Sequence, residues 1–231
     1  MKWKVVNYSN QQCDDAIFGE IYCNNGNWQW VSVESGRKTA LKVTKEDISE
    51  TNLDETKNKA SLVLILESPH KNEYDNNGAP IRPANGTSGK NIYNHLCDVL
   101  NNPNTGNKFN NANEKLQEFL SNHIKNTLTV WVVNAIQYQC SMGIVPINHM
   151  IKESNWIDEW HSSRNTLVKR LNNFMDNSVC SSAFYINLCT IGNYIPMKTI
   201  VGESIKPVSN NNYCEGPHPS SWTRRNAVKF E

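Results

Sequence analysis

Residues 61–70 read SLVLILESPH, and the fold turns on how they are read. Five apolar residues in a row, Leu62 to Leu66, give no helical or alternating period. A short apolar run that stops at a proline-containing polar cluster is the pattern of a strand buried on both faces. The cluster at its end, Glu67, Ser68, His70 and Lys71 around Pro69, brings a carboxylate, a hydroxyl, an imidazole and an ammonium together.

Two other stretches have the same character, TLTVWVVNAIQ at 127–137 and SAFYINLCTIG at 182–192. Between these runs lie segments of helical period. In NIYNHLCDVL (91–100), Ile92, Leu96 and Leu100 fall on one face; NEKLQEFLSNHI (113–124) and the long WIDEWHSSRNTLVKRLNNFM (156–175) complete the set. Strands alternating with helices predict an α/β domain with a mostly parallel sheet and helices on both of its faces. In such sheets ligands bind at the C-terminal ends of the strands. That rule selects the ESPH cluster, Asn134 and the loops within 192–222.

Ahead of this domain, residues 17–43 alternate through IFGEIYC and WQWVSVES around the turn signal NNGN. They predict a β-hairpin extension. Residues 44–60 are polar enough for a surface helix or linker, so the expected division is an N-terminal extension over 1–60 and a main domain over 61–231.

Composition narrows the function classes. Lys+Arg 23 against Asp+Glu 22 leaves a formal charge of +1, so a nucleic-acid partner must meet a local patch and not a global field. The seven cysteines are scattered without zinc spacing, and read as reduced, mostly buried thiols. No stretch approaches the roughly 20 apolar residues of a membrane span, and the N-terminus lacks a signal-peptide core. A cytoplasmic protein without metal or other cofactor is expected.

Several residues carry candidate chemistry. Asn134 interrupts an apolar strand; its amide presents a donor and an acceptor, which suits the edge of a base, and equally suits bonding to loop backbone. His218 stands between Pro217 and Pro219 in GPHPSSWTRR (216–225) and is the most constrained of the six histidines. The glycine-containing NGTSGKN (85–91) lacks the first glycine and the Ser/Thr of a P-loop, yet a loop entering a helix can still hold a phosphate.

Four blocks, taken in order, resemble the uracil-DNA glycosylase superfamily. LESPHKNEY stands where that family has a water-activating G-Q-D-P-Y-H type loop; SGKNIYNHL resembles its S-L-x-N-I-Y-x-x-L; VWVVNAIQ resembles its L-L-L-N strand; GPHPSSW resembles its H-P-S-P-L loop. The resemblance covers residues 61 to 231 and implies for them a three-layer α/β/α domain with a central, mostly parallel, four-stranded sheet. It implies an enzyme that flips a nucleotide out of DNA and hydrolyses its N-glycosidic bond, acting as a monomer on DNA. On this reading His218 stabilises the departing base and Asn134 binds its edge. Trp222 wedges into the vacated stack, and Ser88, Lys90, Ser220, Arg224 and Arg225 meet phosphates.

The departures from the family pattern bear on the substrate. Ser68 falls where the water-activating aspartate belongs, leaving Glu67, Glu73 or Asp75 to orient water. His70 replaces the tyrosine that blocks the pyrimidine 5-position, and Ile81 replaces a stacking phenylalanine. A bulky modified pyrimidine, such as glucosylated hydroxymethylcytosine of phage DNA removed in antiviral defence, is the expected base. Three alternatives stand beside it: a uracil or mismatch repair glycosylase, a catalytically silent DNA-binding or nucleotide-sensing module, and a hydrolase using Ser68 with His70. For Trp222 the alternative is a core tryptophan capping the sheet.

Overall fold

The computed structural model describes residues 11–31, 60–102, 109–111, 113–140, 149–176, 182–222 and 228–230. Strand β3 (Ala60–Leu66) is buried along its whole length, as its unbroken apolar run requires. It pairs in parallel with β5 (Thr127–Asn134) on one side and β6 (Ser182–Asn187) on the other. Beyond β6 a short parallel strand, β7 (Tyr213–Glu215), ends the sheet.

The opposite edge departs from the four-stranded expectation. β1 (Ala16–Asn24) runs antiparallel along β5, and β2 (Asn27–Trp30) pairs with β1, so the order is β2-β1-β5-β3-β6-β7. The sheet is therefore six-stranded and mixed: the hairpin is part of it and not an appendage. Asn25 and Gly26 both take positive φ, 50° and 80°, the conformation a tight two-residue hairpin turn demands. The second half of the expected meander and the polar stretch after it, 32–59, lie outside the described residues.

Period-two alternation along β3 sends its side chains to two cores. Leu62, Leu64 and Leu66 join Ile92, Leu96, Leu116 and Phe119; Val63 and Ile65 join Trp156, Trp160, Leu167 and Val201. Each such aliphatic side chain gains about 1.5–3 kcal/mol by leaving water. Helices α1 (Thr87–Asn101) and α2 (Glu114–Asn122) thus cover one face. α3 (His149–Asp176) and α4 (Met197–Ile205) cover the other. The result is a mixed α/β fold with helices on both faces of one sheet.

Local chemistry fixes where these helices begin. The Asn113 side chain accepts the Leu116 N–H at 2.9 Å and caps α2. In the first turn of α1, Gly89 lies so close to the carbonyl oxygen of Ala84 that a Cβ there would come within 1.8 Å of it. Only glycine allows that approach, which seats α1 against the loop that follows β3. A separate parallel pair, β4 (Phe109–Asn111) with β8 (Val228–Phe230), lies outside the main sheet. Among the described residues no helix is long and apolar enough to cross a membrane.

Candidate active site at the C-terminal strand ends

β3, β5, β6 and β7 are parallel, so the four chain segments that leave them emerge at one edge. Backbone bonds lace these segments together: Ala135 N donates to Leu66 O at 2.7 Å, Ile136 N to Glu67 O at 3.1 Å, and Leu188 N to Ile65 O at 2.8 Å. Glu67, the first residue past β3, therefore meets groups from the other strand ends. Its Oε2 lies 3.4 Å from His218 Nε2, contributed by the loop after β7, and 3.4 Å from the backbone N–H of Thr190, past β6.

The His218 ring is oriented by its own loop. The backbone N–H of Ser220 donates to Nδ1 at 3.2 Å, and the Ser220 hydroxyl lies 2.7 Å from the same nitrogen. A backbone N–H can only donate, so Nδ1 is an acceptor and the ring proton belongs on Nε2, the atom facing Glu67. The loop itself is fastened to α1, where Asn91 Nδ2 donates to Pro219 O at 2.8 Å. Asn91 is the asparagine of the N-I-Y block; sequence reasoning gave it no role.

Asn134 ends β5 with no exposed surface, and its Nδ2 donates to Glu73 Oε2 at 3.2 Å. Glu73 ends a single turn of 3-10 helix, Lys71–Glu73, and is almost wholly enclosed. Burial pushes its carboxyl up to about 7, against the lowering effect of bonds from the His70 backbone, the Asn134 amide and the Ala84 backbone; nearby Glu67 adds to the rise.

Three buried side-chain atoms at this edge lack a hydrogen-bond partner: Ser68 Oγ, Asn134 Oδ1 and Thr190 Oγ1. The Cys140 thiol interacts with Ser68 without making a hydrogen bond of sound geometry, and burial pushes its ionisation up to about 12. Unpaired buried polar atoms are rare in folded proteins, and a group of them beside a carboxylate and an imidazole marks a place for a ligand or ordered water.

The loop after β6 is held by a buried carboxylate. Glu153 of α3 accepts the N–H groups of Asn193, Tyr194 and Ile195 at 2.7, 2.7 and 2.6 Å and has no exposed surface. The same loop leaves Ile191 and Tyr194 standing in solvent, 72% and 67% exposed. The sequence singled out neither Glu153 nor this apolar pair: the expected helix begins at 156, whereas α3 starts at His149 and so includes Glu153.

Other expected residues fall elsewhere. Trp222 has no exposed surface; its Nε1 donates to Pro217 O at 2.9 Å and its ring packs against Phe230. A side chain enclosed in the core cannot wedge into a base stack, so Trp222 is the core tryptophan of the alternative reading. Ile81 is half exposed in the loop after β3, with its N–H bonded to Glu73 O at 2.7 Å. Ser88 and Lys90 lie in the first turn of α1, Lys90 exposed, and Ser220 is exposed beside His218. Arg224 and Arg225 lie outside the described residues.

The Ser68–His70 hydrolase pair does not form, since Ser68 Oγ has no hydrogen-bond partner and His70 Nδ1 accepts the Asn72 N–H at 3.3 Å. A cavity of about 390 Å³ opens nearby, lined by Gln12, Gln137, Tyr138, Ser163, Thr166 and Arg170 among others. It includes neither Glu67, His218 nor Asn134, and adjoins the site through Ala135 and through Arg170, which donates to Asn134 O at 2.7 Å.

Compared with family models, curated proteins and solved structures, the chain matches none.

Proposed function

We propose that the protein is a monofunctional DNA glycosylase of the uracil-DNA glycosylase type, which excises a modified pyrimidine and leaves an abasic site. One observation carries this reading: a carboxylate and an imidazole from different strand ends, Glu67 and His218, meet at 3.4 Å beside three buried polar atoms that lack partners. Both side chains come from blocks that resemble that superfamily, as does Asn134.

The chemistry follows from the groups. Cleavage of an N-glycosidic bond builds positive charge on the sugar and negative charge on the departing base. Glu67, an acceptor, orients the attacking water and faces the positive sugar. His218, with its proton on Nε2, donates to the base oxygen on which charge collects. Asn134 holds the base edge. Because Asn134 has no exposed surface, base capture requires the chain around it to open. Ile191 and Tyr194, on a loop held rigid by Glu153, take over from Trp222 the task of stacking on bases of the entering strand. The replacement of the family tyrosine and phenylalanine by His70 and Ile81 favours a bulky 5-substituent, as in glucosylated hydroxymethylcytosine of phage DNA, and with it a role in antiviral defence.

Mass spectrometry of bases released from DNAs carrying cytosine, uracil, hydroxymethylcytosine and its glucosylated forms tests the proposal. Glu67→Gln and His218→Ala should each slow single-turnover release about 100-fold or more. Binding without release from any of these DNAs would replace it with the silent binding module; preferential release of uracil would restore the repair reading.

A further inference from the structure

Glu73, one of the three carboxylates that the sequence offers for orienting water, is 4% exposed and lies against Asn134. Glu73 Oε1 accepts the His70 N–H at 3.2 Å, and Oε2 accepts Asn134 Nδ2 at 3.2 Å with the Cys13 thiol 4.0 Å away. Every one of these partners is a donor. A carboxylate offers acceptors alone, so the nitrogen of the Asn134 amide must face it. The amide oxygen is then turned away from Glu73, and that oxygen is buried without a partner.

We propose that Glu73 is a positioning residue that fixes the Asn134 amide with its oxygen toward the substrate, so that the site selects a pyrimidine with an amine at ring position 4 over one with a carbonyl there. This rests on the glycosylase reading and narrows it to cytosine-type bases. Cytosine presents an N4 amine as a donor where uracil and thymine present O4 as an acceptor. The amine meets Asn134 Oδ1. A uracil-type ring can offer Oδ1 only its N3–H, and its O4 is left without the donor that a freely turning amide would supply. An unpaired polar group in an enclosed site discriminates by roughly tenfold or more.

The charged and titratable groups that act on Glu73 or respond to it are Glu67, Cys13, Tyr74 and Arg82. Because burial holds the Glu73 carboxyl up to about 7, its acceptor-only form prevails at pH 8, where selectivity is to be measured.

The test compares wild type with Glu73→Gln, whose carboxamide can donate as well as accept and so lets the Asn134 amide turn over. Single-turnover release is measured at pH 8 from matched DNAs carrying 5-hydroxymethylcytosine or 5-hydroxymethyluracil. Wild type should favour the amine-bearing base at least tenfold, and Glu73→Gln should bring the ratio near one by gaining rate on the carbonyl-bearing base. A second readout does not depend on activity: the side-chain amide ¹⁵N resonance of Asn134, assigned by its loss in Asn134→Asp, should shift between pH 6 and 8 in wild type and stay fixed in Glu73→Gln. An unchanged base ratio in Glu73→Gln, or an Asn134 resonance indifferent to that substitution, overturns the proposal. If the resonance follows Glu73 but no DNA loses a base, the glycosylase reading falls, and the assigned substrate class falls with it.

Discussion

Replacing Glu153 by Gln changes one atom in the core and should cost about 3 kcal/mol. In the folded protein Oε2 accepts two N–H groups, from Tyr194 and Ile195, and Oε1 accepts one from Asn193. A carboxamide serves the two-donor position best through its oxygen, which turns its NH₂ group against the Asn193 N–H. One bond is then lost as donor faces donor, and two bonds fall from charge-assisted to neutral strength, about 1 kcal/mol for each of the three changes. For a domain of this size that sum lowers the melting temperature by about 6–12 °C. Thermal unfolding followed by circular dichroism measures it, and hydrogen exchange at the amides of 193–195 reports whether the loss is local. A Glu153→Gln protein melting within 2 °C of wild type would refute the argument that this carboxylate holds the loop beside Glu67.

Two further outcomes are expected. Trp222→Ala should cost about 3–5 kcal/mol of stability in urea, as a large side chain deleted from a core does, whereas Ile191→Ala with Tyr194→Ala should leave stability within about 0.5 kcal/mol and weaken DNA binding; the reverse pattern would return the wedge to Trp222. Glu73 gives the protein a pH slope: its folded carboxyl stands at about 7 against an ordinary 4.5. Between those values the folded state keeps a proton the unfolded chain has lost, so this contribution is fully present below pH 4.5 and is lost as pH rises through 7. Its full size is about 3 kcal/mol, and the stability gap between wild type and Glu73→Gln should change by that amount from pH 4 to pH 8.

The three apolar runs declared β3, β5 and β6 because a strand buried on both faces needs no other signal. The 3.6-residue spacing of Ile92, Leu96 and Leu100 declared α1 in the same way. Strand β7 and helix α4 were silent: three residues carry no period, and MKTIVGESI mixes apolar residues with a glycine and charges. At the site, Asn134 stood out because an amide inside WVVNA needs a reason, and His218 because prolines flank it. Glu153 did not stand out, and Glu73 was one of three carboxylates that could orient water, since nothing local distinguishes a carboxylate that folding will enclose from one left in water. Trp222 was misplaced for the opposite reason: matching a loop position to a family pattern says where a residue stands in the chain and nothing about which way it turns.

The long-range pairing of β1 with β5 has a consequence for how the chain comes to be folded. The hairpin leaves the ribosome first, but the strand it pairs with ends about a hundred residues later, a delay of roughly 5–20 s at ordinary rates of synthesis. An isolated two-stranded hairpin is marginal in water. Until β5 arrives, Phe18, Ile21 and Trp28, all buried in the finished protein, have no core to enter. Nascent chains of this protein should therefore depend on a holding chaperone, and slowing translation between codons 30 and 134 should lower the yield of native protein.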